Sequence, residues 1–156
     1  MNKLVTGLLL KSKPRERGNG SVHYLDLMEA YRKAFRMSTW GYVVALITGV
    51  FKFENEWYKE VDEELIRLVL DADHGDKEEW VLDYYDCGGF TFNLMGVFHQ
   101  NGETAAMPIF ITWVDTPTGG HAVLSFDDGI SVRIIEPQSD EIYSIPNSWK
   151  PMLICG

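Results

Sequence analysis

The stretch Gly120-His121-Ala122-Val123-Leu124-Ser125-Phe126-Asp127-Asp128-Gly129-Ile130-Ser131-Val132-Arg133-Ile134-Ile135-Glu136-Pro137 decides the fold. Asp-Gly between two alternating apolar runs is the strongest short-range hairpin signal. With Asp128 and Gly129 as the loop, Asp127 stands opposite Ile130, and the same register sets Ser125 against Val132, Val123 against Ile134 and His121 against Glu136. Direct cross-strand neighbours have Cβ atoms about 4.5–5.5 Å apart, close enough for Glu136 to accept a hydrogen bond from the imidazole and set its tautomer. Moving the loop to Asp127-Asp128 sets His121 against Ile134 and leaves Glu136 a diagonal neighbour. A satisfied structural His–Glu pair is the plain alternative to a chemical one.

Outward from the hairpin, strands are expected over Met107 to Val114, His121 to Phe126 and Ile130 to Ile135, where β-branched residues alternate between Pro and Gly turns. Earlier in the chain the period changes. Val22, Leu25, Met28, Tyr31 and Phe35 share one helical face behind Ser21 as N-cap, and Val61, Leu65, Leu68 and Val69 do the same behind Asp62, Glu63 and Glu64. Helices first and strands later imply an α+β fold, with a helical N-terminal half and a cysteine-bearing helix packed on an antiparallel sheet. No repeat or linker divides the chain, so residues 1–156 are expected to form a single domain. Residues 1–20, with Lys11, Lys13, Arg15 and Arg17 set among Pro14, Gly18 and Gly20, read as a mobile arm, and the short apolar run Leu4 to Leu10 as the start of a strand or helix.

Composition excludes several classes. At 46% hydrophobic and 13% aromatic, the 156-residue chain builds a core. A net charge of −9 repels phosphate backbones, so nucleic acid is not an expected partner. The apolar stretch Trp40 to Val50 is interrupted by Gly41 and Gly49 and falls well below the roughly 20 residues that span a bilayer. Two cysteines, Cys87 and Cys155, make neither a disulfide framework nor a four-thiolate metal site, and a reducing cytoplasm is the expected compartment. Asp71-x-Asp73 invites comparison with a calcium loop, which fails because Gly75 falls one position early and Leu82 stands where the closing Glu belongs. No cofactor and no metal are expected, and the oligomeric state is left open.

The segment Asp86-Cys87-Gly88-Gly89-Phe90 leads into an apolar helix through Phe92, Leu94, Met95, Val97 and Phe98, with Asp86 as N-cap. A cysteine in the first turn feels the positive end of the helix dipole, which favours thiolate over thiol. Two glycines there cost roughly 1 kcal/mol each against alanine, which suggests that something approaches the backbone, substrate being the obvious candidate. A buried, inert cysteine opening a core helix is the bland alternative. His23, His74 and His99 lie at a helix start, in a polar loop and at a helix end, and carry no comparable pattern.

Taken together, Asp86-Cys87-Gly88-Gly89-Phe90 opening a helix, His121-Ala122-Val123 opening a strand and Ile134-Ile135-Glu136-Pro137-Gln138 closing the next resemble the papain-like cysteine-peptidase superfamily. Within it they are most similar to the papain-like C-terminal domain of fungal agglutinins of the Marasmius oreades lectin type and related phage and bacterial domains. The resemblance covers roughly residues 80 to 145. It implies a papain-like fold and a hydrolase, a thiol protease or amidase acting on a peptide or amide through a thioester. Cys87 would be nucleophile, His121 general base and then acid, and Glu136 the residue orienting the imidazole. Bacterial cell-wall amidases look similar too, with a D-C-S-G helix start and an H-V strand.

Two departures stand against the pattern. Gln100 and Gln138 both follow Cys87, where papain has an oxyanion-hole glutamine before it, leaving Tyr84, Tyr85 or Asn55 as candidate second donors; and Gly88-Gly89 replaces acidic residues that relatives carry. Two readings from other classes remain beside the enzyme. One is a catalytically silent binding module that holds a partner with Trp113, Trp149 and Tyr143. The other is a structural protein in which Cys87 and Cys155 are bridged or inert.

Overall fold

Two-residue alternation on both faces of one sheet organises the chain. In the computed structural model, which describes residues 20–81 and 86–156, Val123, Val132 and Ile134 point into one buried cluster and Leu124, Phe126 and Ile135 into another. Leu4 to Leu10, the basic cluster from Lys11 to Arg17, and Tyr84 and Tyr85 lie outside the described residues.

In chain order the elements are β1 (Ser21–His23), α1 (Tyr24–Ala34), α2 (Thr39–Thr48), β2 (Phe51–Lys52), β3 (Trp57–Lys59), α3 (Glu63–Ala72), a 3-10 turn (Gly75–Lys77), α4 (Cys87–His99) and α5 (Gly102–Ala105). There follow β4 (Ile109–Thr116), β5 (Gly119–Asp127), β6 (Val132–Glu136), β7 (Glu141–Ser144) and β8 (Lys150–Cys155). The main sheet has six strands in the order β2-β8-β4-β5-β6-β7, and β1 pairs with β3 in a separate two-stranded ribbon.

Leu27, Tyr31 and Phe35 cover the first face of the sheet from α1, together with Phe110, Val123 and Ile134. The other face is covered from α3 by Ile66 and Leu70 and from α4 by Leu94, Met95 and Phe98. Burying each of these side chains contributes on the order of 1.5–3 kcal/mol. The first cluster also holds a hydroxyl network: the Tyr31 and Thr112 hydroxyls meet Ser125 Oγ at 2.7 and 2.5 Å, all three residues being fully buried. A buried polar group is tolerated only with a partner, so this network fixes how α1 sits on β4 and β5.

Several expectations are corrected. The N-terminal half is not simply helical, since β1, β2 and β3 interleave with its helices. The sheet is mixed rather than antiparallel, because β2 runs parallel to β8 through Phe51↔Ile154 and Lys52↔Cys155. The first helix starts at Tyr24 instead of Ser21, capped by His23 Nδ1, which accepts the Leu25 N–H at 3.1 Å. The next expected helix, over Trp57 to Leu70, divides into β3 and α3, with Asp62 Oδ1 capping the Leu65 N–H.

The decisive hairpin has a four-residue turn rather than a two-residue one. Asp128 Oδ1 accepts the N–H groups of Ile130 and Ser131, and the Asp128 N–H donates to Ser131 O, so Asp127 pairs with Val132 and Ser125 with Ile134. The shift is by two residues, which leaves every side chain on its expected face. Among the described residues no helix is long and apolar enough to cross a membrane.

Candidate functional site

Helix α4 begins because Asp86 caps it. At φ −98° and ψ −166°, Asp86 turns Oδ1 onto the N–H groups of Gly88 (2.9 Å) and Gly89 (3.2 Å), satisfying two donors that a helix start leaves open. Cys87 is therefore the first helical residue, half-buried and free, as is Cys155. Gly88 has a packing reason. A Cβ there would lie 3.2 Å from both Asp86 Oδ1 and the Trp113 ring, so the glycine admits the cap and an indole from β4. The close neighbour expected at this backbone is Trp113.

His121 and Glu136 lie at one end of the sheet, near the start of β5 and at the end of β6. The paired ladder between these strands ends at Leu124↔Ile135, and the two-residue shift makes Glu136 a diagonal neighbour of His121. His121 Nε2 nevertheless reaches Glu136 Oε2 at 2.8 Å. That hydrogen bond is the largest cause raising the His121 pKa from 6.5 to about 9; partial burial opposes it, and a hydrogen bond with the Cys87 thiol and the charges of Glu136 and Cys87 add to it. At neutral pH the ring is an imidazolium, donating from Nε2 to the carboxylate.

The cysteine helix does not cover the stripe that carries His121. Val123, Val132 and Ile134 are covered by α1, whereas α4 packs on the opposite face, so Cys87 and His121 meet at the end of the sheet. Cys87, His121 and Glu136 are thus brought together. Asn55 sits in the β2–β3 loop with its backbone N–H held by the Tyr58 hydroxyl at 3.1 Å.

Two side chains complete the surroundings. The Tyr143 hydroxyl donates to Glu136 Oε2 at 3.2 Å, and burial beside that carboxylate drives the phenol pKa far above its usual value. Trp149 stands edge-on to both the His121 ring (5.8 Å, 81°) and the Tyr143 ring (6.2 Å, 81°). Glu136 Oε1 is buried without a hydrogen-bond partner among the described residues. The Tyr143–Glu136 bond follows from the β6–β7 pairing of Glu136 with Glu141, which sequence reasoning did not reach. Among the described residues no group of three or more His, Cys, Asp or Glu side chains is arranged to hold a metal ion.

No family model and no curated protein matches the chain. Several solved structures share its fold, two of them as follows. A structure described as the PSL1a–E64 complex superposes with a TM-score of 0.70 at 15% identity, covering 88% of this chain and 52% of that one. The Polyporus squamosus lectin, bound to the human-type influenza-binding epitope Neu5Acα2-6Galβ1-4GlcNAc, superposes with a TM-score of 0.67 at 17% identity, covering 88% of this chain and 50% of that one. The fold is one found in a lectin chain. This chain spans about half the length of the two matched chains.

This comparison corrects the expectations drawn from the resemblance. One matched chain is described as a lectin holding a carbohydrate epitope and the other as a complex with E64, and neither description names a peptidase. The papain-like label is accordingly replaced by the fold shared with these chains. The cysteine-hydrolase activity and the peptide or amide partner, both of which depended on that label, lose their support.

Proposed function

We propose that this domain is a catalytically silent binding module for carbohydrate, with Cys87, His121 and Glu136 as the polar floor of its ligand seat and Trp149 and Tyr143 as its aromatic wall. One observation carries the reading: two half-buried, mutually perpendicular aromatic rings, Trp149 and Tyr143, stand beside the His121–Glu136 pair at the open end of the sheet. A sugar offers hydroxyl groups on its edge and C–H groups on its face, the chemistry that polar side chains next to an aromatic ring recognise. His121 neutralises Glu136 at Oε2, so the seat presents a fixed dipole instead of a bare charge. The Polyporus squamosus lectin, with its bound epitope, supports carbohydrate as the class.

The test is a glycan panel that includes Neu5Acα2-6Galβ1-4GlcNAc, probed with the wild type, Trp149→Ala and Glu136→Gln. Glycans retained by the wild type should be lost or weakened about tenfold in both variants. Retention unchanged in both would move the seat elsewhere.

A second ligand is favoured by the PSL1a complex with E64. Incubation of this chain with E64, followed by intact-mass and thermal-shift measurements, places that ligand at the seat if Cys87→Ser abolishes the effect. Turnover of a labelled peptide that Cys87→Ala abolishes would contradict the silent-module reading.

A further inference from the structure

Helix α2 presents an apolar stripe that no other element covers among the described residues. Tyr42 and Ala45 face inward, Tyr42 against Phe51 and Ala45 buried, whereas Trp40, Val44 and Ile47 are 75%, 41% and 74% exposed. Residues at these spacings lie on one side of a helix. None of the ten residues of α2 is charged. Isolated exposed apolar residues are ordinary, but a contiguous stripe marks an interaction surface.

The charge around the stripe identifies its partner. From Ala30 to Phe53 the chain contains no acidic residue and four basic ones, Arg32, Lys33, Arg36 and Lys52, within a protein of net charge −9. Arg36 lies just before the helix in the left-handed region, at φ 52°, and is exposed. Lys52 folds back over the other end, its Cε 3.7 Å from where a Cβ on Gly49 would stand. Of the flanking acids, Glu29 is already held by Arg32 at 2.7 Å and Lys33 at 3.8 Å. A basic side chain therefore stands at each end of an uncharged, Trp-bearing helix, Glu54 following Lys52 in sequence, within a protein of net charge −9.

We propose that α2 is a peripheral docking element for an anionic lipid surface, with Trp40, Val44 and Ile47 entering the headgroup–acyl boundary and Arg36 and Lys52 meeting lipid phosphates. A ten-residue helix is about 15 Å long, too short to span a bilayer but suited to lying in its interface, where tryptophan is favoured. Basic side chains beside such a helix strengthen the attraction to anionic headgroups, and salt screens it.

The full chain should sediment with vesicles of phosphatidylcholine and phosphatidylglycerol in equal parts, and much less with phosphatidylcholine alone. Raising salt from about 0.1 M to about 1 M should weaken binding, as the Debye length falls from about 10 to 3 Å. Ile47→Glu and Val44→Ser, each checked for native circular dichroism, should lower the partition coefficient about tenfold or more, and Lys52→Glu several-fold. Failure of the wild type to bind either vesicle overturns the proposal. So does undiminished binding by folded Ile47→Glu, which would assign binding to another part of the chain. A dimer in light scattering that Ile47→Glu dissociates would mean that a second copy covers the stripe.

Discussion

His121 Nε2 and Glu136 Oε2 lie 2.8 Å apart although their strands stop pairing at Leu124↔Ile135. The bond is side chain to side chain across the open end of the sheet, so its strength depends on the ionisation of both groups rather than on a backbone ladder.

Glu136→Gln should therefore bring the His121 pKa down from about 9 toward its ordinary value, a fall of at least one unit by NMR titration. The stability consequence has a definite sign. A raised histidine pKa contributes stability that is fully present below about 6.5 and is lost as pH rises through about 9. After allowance for partial exposure the loss is of order 1–2 kcal/mol. Thermal unfolding between these pH values should show it in the wild type and not in Glu136→Gln.

Ser125 is the shared partner of the Tyr31 and Thr112 hydroxyls. Ser125→Ala strands both in the core and should cost about 1–3 kcal/mol in denaturant unfolding. Tyr31→Phe, which leaves Ser125 bonded to Thr112, should cost less. Equal costs would mean that the network is not shared in this way.

Within α4, Gly88→Ala and Gly96→Ala should have opposite signs. Nothing lies within 4 Å of a Cβ on Gly96, so the gain in helix propensity of about 1 kcal/mol is realised there. At Gly88 the Trp113 ring and Asp86 Oδ1 stand 3.2 Å away. Displacing them should make the substitution destabilising by about 1 kcal/mol. Equilibrium unfolding of the two variants decides it.

Asp140 occupies the β6–β7 turn at φ 56°, and burial together with the charges of Asp76 and Asp73 raises its pKa to about 6, Lys77 opposing them. A carboxyl whose folded pKa is raised loses stability as pH climbs from about 4 to about 6. Asparagine tolerates the left-handed conformation and carries no charge. Asp140→Asn should add about 1 kcal/mol at pH near 7.5 and little below about 4, read by thermal melts.

Locally encoded features were legible in the sequence. Asp86 caps two amides within three residues of itself, and the start of the cysteine helix follows from that short-range chemistry. The hairpin was legible in its faces but not its register, because side-chain acceptance by Asp127 and Asp128 widens the turn and Asp-Gly alone does not announce it. Which face the cysteine helix covers was not legible either. Val123 and Leu124 are equally buried, so alternation does not distinguish the faces. The parallel β2–β8 pairing joins residues about a hundred positions apart through only two register pairs, and no local pattern encodes it. The family that the resemblance implied was corrected because a short motif constrains a site more than it constrains the function of the fold that carries it.

Glycan binding by the wild type and Trp149→Ala, measured by isothermal titration, tests the proposed seat most directly. A carbohydrate-binding module walled by Trp149 and Tyr143 predicts saturable binding of at least one glycan from the panel, weakened about tenfold by Trp149→Ala. Binding of no glycan, or equal affinity in the two proteins, would contradict it.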